Sequence, residues 1–294
     1  MDAATTTSIS SDQYQQHISL PSFPCLSDLD IRNCNNLTCM PLFPYLEEKL
    51  QLVNTSLKPL QETMAMTMNM SATSSLPSSS SSSAPLSKLK SLILFGIQDV
   101  ESLSEELLKN LASLQRLEIY NCPNLTSLPE GIGNLTSLQS LSISDCPNLT
   151  SLPEGIGNLT SLQSLRIYKC PNLISLPEGI GNLTSLNSLR ICECPNLTSL
   201  PEQIGNLTSL QDLEIYKCHN LTSILEGISN LTSLQRLQIK ECPNLNSLPE
   251  GIGKLTSLQT LEIWNCPHLK ERCQEGIGED WHKIAHIPYF RYWD

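Results

Sequence analysis

The sequence predicts an α/β solenoid, a curved horseshoe or superhelix with a parallel β-sheet on its concave face and short helical or 3₁₀ turns on the convex side. Three observations predict it. The seventeen letters CPNLTSLPEGIGNLTSL at 122–138 recur unchanged at 146–162, and close variants return at 170, 194, 218, 242 and 266. Aligned on itself, the chain has a period of 24, with units beginning at Leu114, Leu138, Leu162, Leu186, Leu210, Leu234 and Leu258. Inside each unit the apolar positions 4 and 6 alternate with polar 5 and 7, the pattern of a strand with one buried face.

The convex element follows from the second half of the unit. Positions 15, 19 and 22 (Leu128, Ile132 and Leu135 in the first regular copy) recur at i, i+4, i+7 and suit a helical or 3₁₀ turn. Pro at position 16 and Glu at 17 suit its first turn, where a missing N–H costs nothing and a carboxylate meets the positive end of the turn. Each unit reads L-x-x-L-x-I-x-x-C-P-N-L-x-S-L-P-E-G-I-G-N-L-T-S with small departures. Its first half carries L-x-x-L-x-L-x-x-N/C-x-L, the signature of a leucine-rich repeat. One such unit cannot bury both of its flanks alone, so the repetition is first of all a folding requirement.

Around the regular array the pattern loosens. A polar segment is expected over 1–22, degenerate repeats over 23–61, a Met/Ser-rich disordered insertion over 62–87, and one further repeat over 88–113. The regular repeats run over 114–265, and 266–294 holds the last repeat with an aromatic C-terminal cap. In that cap Trp281, Ile284 and Ile287 are expected to cover the open core of the final unit.

Composition narrows the function classes. The net charge is −11, which disfavours nucleic acid and anionic membrane as partners, because phosphate contacts need clustered Lys and Arg. There is no apolar run long enough to span a bilayer, and MDAATTTSISSDQYQQH has neither the basic start nor the apolar stretch of a secretory signal. A cytoplasmic location is the expectation, with the twelve cysteines kept as thiols. No G-x-x-x-x-G-K-[ST] phosphate loop and no nucleophile–base arrangement stands out, so neither an enzyme nor a cofactor is expected.

Two columns invite chemistry. Cys122, Cys146, Cys170, Cys194, Cys218, Cys242 and Cys266 share position 9. Metal ligands come in closely spaced pairs rather than at intervals of 24, so no metal is expected and the column reads as small buried groups with a weak donor. Cys192, at the polar strand position 7, is expected to be an exposed thiol. Position 17 carries Glu130, Glu154, Glu178, Glu202, Glu226 and Glu250, so much of the acidity belongs to the repeated turn and says little about a partner.

Variable positions 2, 3, 5, 7 and 8 are expected to face out of the concave surface. Position 7 carries an aromatic in every second unit, about 9.6 Å apart from two strand spacings. Position 8 alternates in sign from Asp145 to Glu241, a ladder that reads as lateral pairing along the sheet. Tyr and Arg dominate binding surfaces. The protein-binding candidates on this face are therefore Tyr120, Arg166, Tyr168, Arg190, Glu214, Tyr216, Lys240 and Trp264.

The unit LTSLPEGIGNLTSLQSLxIxxCPNL, followed by the ending ERCQEGIGEDWHKIAHIP, resembles the leucine-rich-repeat region of plant coiled-coil nucleotide-binding (NB-ARC) disease-resistance proteins. The resemblance covers most of residues 23–294. It implies a role in plant defence and innate immunity as an intracellular module that senses pathogen effectors or guarded host proteins and restrains a receptor's ATPase. These 294 residues hold neither the coiled coil nor the nucleotide-binding domain, which points to a truncated paralogue or gene fragment with a full-length receptor relative as another partner. The repeats also resemble the plant intracellular Ras-group repeat proteins, which implies a stand-alone scaffold as the alternative.

Overall fold

A computed structural model describes residues 25–40, 46–64 and 86–293. Its described strands form one eleven-stranded sheet whose spatial order is the chain order. They are β1 (Asp28–Arg32), β2 (Lys49–Val53), β3 (Ser91–Phe95), β4 (Arg116–Tyr120), β5 (Ser140–Ser144), β6 (Ser164–Tyr168), β7 (Ser188–Cys192), β8 (Asp212–Tyr216), β9 (Arg236–Lys240), β10 (Thr260–Trp264) and β11 (Tyr289–Trp293). Every neighbouring pair is parallel, and equivalent repeat positions face each other: Leu141 pairs Leu165 and Ile143 pairs Ile167, for example. The polar segment expected over 1–22 lies outside the described residues. So does 65–85, most of the expected insertion; of its flanks, 62–64 belong to a helix over 58–64, and Met64 and Leu86 are buried in the core.

The alternation becomes a core because positions 4 and 6 of every regular strand point the same way. Leu117, Leu141, Leu165 and Leu189 are all fully buried, with Ile143, Ile167 and Ile191 beside them. Behind them the chain turns through 3₁₀ helices of five residues each, from Glu130–Asn134 to Glu250–Lys254. Short runs with two glycines suit 3₁₀ rather than α geometry. Proline stands one residue before its predicted place. Pro129 is the N-cap, extended at ψ 158°, and its carbonyl accepts from the Ile132 N–H at 3.0 Å.

The acidic column and the glycines share one cause. Glu154 reaches the next turn, where its carboxylate accepts from the backbone N–H groups of Glu178 at 3.2 Å and Gly179 at 2.7 Å. Glu130 does the same for Gly155 at 2.6 Å, and Glu202 for Gly227 at 3.1 Å. These side chains cap the turn of the following repeat, satisfying amide donors that five-residue 3₁₀ helices leave free. Turns stacked this closely leave no room for a Cβ: one built on Gly157 would sit 2.5 Å from the Gly179 carbonyl oxygen.

The C-terminal end replaces the missing next repeat with a different device. Helix Trp281–Ile284 packs on the last turn, burying Ile284, while Trp281 stacks against Phe290 with centroids 6.0 Å apart. β11 then adds a strand beside β10 that has no leucine in it. A charged network underlies this. Asp280 is fully buried; its carboxylate accepts from the Leu248 N–H at 2.9 Å and from Arg272 Nε and Nη2, both at 3.0 Å. Lys283, also buried, donates to the Leu248 carbonyl at 2.8 Å and lies 2.8 Å from Glu250 and 2.9 Å from Asp280. Glu250, which has no following turn to cap, thus finds an ammonium in its place.

Burial by itself would raise the Asp280 carboxyl, but Arg272, the Leu248 amide and Lys283 together outweigh it and hold the group below its ordinary value. A lowered native pKa contributes stability above the unfolded value of about 3.9, and that contribution is lost as pH falls through the native value. Chemical denaturation of Asp280→Ala at neutral pH should show about 3–5 kcal/mol lost from the cap's unfolding, since Lys283 and Arg272 are left facing a buried vacancy. In the wild type the stability held by this carboxylate should begin to fall only below about pH 4. In the array, Gly157→Ala should cost about 1–3 kcal/mol by the same measurement, through overpacking.

Candidate functional site

The concave face is the outward side of β4–β11, and its properties follow from residues at strand positions 3, 5 and 7. All eight candidates lie there. Tyr120, Tyr168, Tyr216, Lys240 and Trp264 occupy position 7, and Arg166, Arg190 and Glu214 occupy position 5. Parallel register sets position 7 residues side by side, so their rings stand half-buried in an open sheet surface. The column is longer than the regular units. Phe95, 39% exposed, continues it on β3, and Trp293, 41% exposed, continues it on β11 opposite Trp264. Phe95 was legible as position 7 of the looser repeat begun at Leu89; Trp293 followed only from the pairing of β11.

Charges on this face are mostly spent on each other. Arg190 Nη2 lies 2.8 Å from Asp212 Oδ2, and its Nε lies 3.8 Å from Glu214. Lys240 stands between Glu214 at 3.4 Å and Glu262 at 3.8 Å, and Gln238 donates to Glu262 at 2.5 Å. Arg166 instead lies over the Tyr168 ring, its Cζ 5.3 Å from the centroid, while the Tyr168 hydroxyl donates to Glu193 at 3.0 Å. Cation–π contact and a hydroxyl bond together fix that ring in one orientation.

Two expectations need correction. Cys192 is not exposed: it is 5% accessible, set in register between Tyr168 and Tyr216. A thiol shorter than both neighbours disappears beneath them. Burial, with the nearby Glu214 charge, pushes it up to about 12, so it is not a reactive thiolate. Position 8 does not face out of the sheet. The strands end at position 7, and the next residue takes left-handed backbone, φ 55° at Asp145, 52° at Lys169 and 53° at Glu193 and Lys217. Asn occupies the equivalent place at Asn33, Asn54, Asn121 and Asn265, as that conformation prefers. The side chains therefore line the rim, where they and Pro147, Pro171, Pro195 and His219 bound a groove of about 520 Å³. Lateral pairing occurs there, Lys169 to Asp145 and Lys217 to Glu193, both at 3.8 Å.

The column at position 9 is structural. Its seven thiols are at most 2% accessible, and Cys146 Sγ donates to the Ser144 carbonyl at 3.4 Å, as Cys194 does to Cys192 at 3.5 Å. Burial pushes Cys194 up to about 11. Among the described residues no group of three or more His, Cys, Asp or Glu is placed to hold a metal ion. No described helix is long and apolar enough to cross a membrane.

A family model described as a leucine-rich repeat region matches residues 65–198 and 189–279, well over half of the sequence. The chain belongs to the leucine-rich repeat family. Among solved structures, this leucine-rich repeat protein is similar to the repeat domain of the type III effector XopL, with a TM-score of 0.60, 30% identity and 70% of each chain covered. It shares its fold with the Leptospira interrogans protein LIC12759 at a TM-score of 0.52 and 22% identity, over 92% of this chain and 79% of that one. The plant peptide hormone receptor RGFR1, solved in complex with RGF2, has the same score and identity, over 92% of this chain and 49% of its own. A stretch of 23 residues is 74% identical to the putative disease resistance protein RGA1 of Solanum bulbocastanum, and 22 residues are 73% identical to RGA2 of the same plant. Each stretch is 8% of this chain and spans 2% of the relative's length.

Native-state alkylation with iodoacetamide followed by peptide mass spectrometry separates the cysteine classes. Cys25, Cys34 and Cys39 are exposed and should label within the native protein. Cys192 and the position 9 column should label only after denaturant is added.

Proposed function

We propose that this chain is a protein-binding module of plant defence whose concave face docks a partner protein. The observation that carries the reading is the position 7 column: half-buried aromatic rings, of which Tyr168 and Tyr216 are held by cations and Tyr168 by a hydroxyl bond, on a sheet face that no other described residues cover. Rigid aromatics beside arginine are the usual anchors of an interface, because they bury large area at small entropic cost. A binding module needs no reacting group, and the cysteines fit that role as packing.

The short identities to two Solanum resistance proteins favour a repeat region that senses pathogen effectors or guarded host proteins and restrains a receptor, with the repeats from 88 to 265 as the reading surface and 266–294 as its cap. A cytoplasmic setting agrees with seven stacked cysteines kept as thiols.

Proximity labelling in plant cells tests this with the wild type and a Tyr168→Ala, Arg190→Ala, Tyr216→Ala variant. Anchors of this kind contribute about 2 kcal/mol or more each, roughly thirty-fold in affinity. The variant should therefore lose the proteins that the wild type labels while unfolding at the same temperature. Unchanged labelling would overturn the concave-face reading.

A further inference from the structure

The concave face has two unequal halves. Towards β8–β10 the charges close among themselves, with Arg190 of β7 and Lys240 of β9 sharing the carboxylates of β8 and β10. On β5–β7, positions 3, 5 and 7 hold two arginines and five serines and no carboxylate at all, in a chain of net charge −11. The nearest acids in register are Glu118 on β4, opposite Ser142 and paired with Arg116 at 3.3 Å, and Asp212 and Glu214 on β8, both paired with Arg190 at 2.8 and 3.8 Å.

At the centre of this hollow two groups are left over. Arg166 is exposed, and among the described residues it has no ion-pair partner; its one fixed contact is the Tyr168 ring. Ser142, in register beside it, is only 8% accessible, and its hydroxyl has no hydrogen-bond partner. Buried polar atoms are nearly always satisfied, so the covered Ser142 hydroxyl is an exception within the fold, while the guanidinium beside it is exposed and can take an acceptor from outside. Serine at five of the nine positions leaves the large side chains, Tyr120 and Tyr168, standing as walls on β4 and β6.

Building on the concave-face reading, we propose that this hollow takes one carboxylate of an acidic segment of the partner protein, gripped by the exposed Arg166 guanidinium. A guanidinium presents paired donors in the geometry of a carboxylate. The charge left to neutralise sets the class of anion. Arg190 is shared with Asp212 and Glu214, so about one positive charge is uncompensated, which fits a carboxylate better than a doubly charged phosphate.

A phage-displayed random-peptide library panned on the full chain provides the probe, with the leading peptides synthesised for affinity measurement. Peptides are expected to share an Asp or Glu. Changing that residue to Asn or Gln should weaken binding about ten-fold or more on the wild type and have little further effect on Arg166→Gln. Ser142→Ala, at a covered hydroxyl, should leave the affinity unchanged. Both substitutions fall on polar face positions, and matching thermal unfolding curves check that the fold is intact. Peptides that lose binding on Tyr168→Ala and Tyr216→Ala, yet ignore Arg166→Gln, would overturn the carboxylate anchor and leave the concave surface standing. Peptides indifferent to all three would overturn both readings, as would a library that enriches nothing. A phosphoserine replacement binding tighter than the acid itself would overturn the choice of carboxylate.

Discussion

Each repeat of this chain finishes its polar valences in its neighbour, and everything else in the structure rests on that. Strand amides pair with the next strand, position 8 amides donate to the carbonyl at the end of the next strand, and position 17 carboxylates cap the next turn. A unit standing alone would expose these groups on both flanks together with its leucines. Stability is thus a property of interfaces between units, and a fault at one unit is felt by the pair it joins.

The same dependence explains the two ends of the regular array. Glu105 of helix Glu105–Lys109 reaches the Gly131 N–H at 3.1 Å, so the first 3₁₀ turn is capped from an α-helix that precedes it. At the other end Glu250 meets Lys283, and Asp280 takes the Leu248 amide. Polar ligands for the terminal turn are thereby supplied from outside the repeat. A buried ion pair of this kind specifies where the stack stops more than it adds net stability, because desolvation consumes much of its attraction.

On the concave face, uniform geometry makes side-chain length the variable that matters. With equal backbones at equal spacing, a small residue beside large ones becomes a depression, and a large one beside small ones a knob. Cys192 vanishes between two tyrosines for that reason, and Ser142 is covered although its position is nominally outward. The rim works differently, since the left-handed residue turns its side chain off the sheet and into a groove shared with proline.

The leucine period, the alternation at positions 4 to 7 and the Pro-Glu-Gly-Ile turn were enough to read the fold, because each is a local pattern that maps directly onto a strand or a turn. The buried cysteine column and the placement of Tyr120, Tyr168, Tyr216 and Trp264 on one face followed from the same arithmetic. What the letters could not disclose were relations between units. The left-handed backbone at Lys169, Glu193, Lys217 and Glu241 runs against local preference and is imposed by the ladder on both sides. The reach of Glu154 to a turn 25 residues away, the joining of β11 without a leucine, the burial of Asp280 with Lys283, and the orphan Ser142 hydroxyl all depend on which side chain stands next to which. Sequence alone determined what each repeat is; only the stacked structure decided what neighbouring repeats do to each other, because those contacts join residues that periodicity treats as equivalent and packing does not.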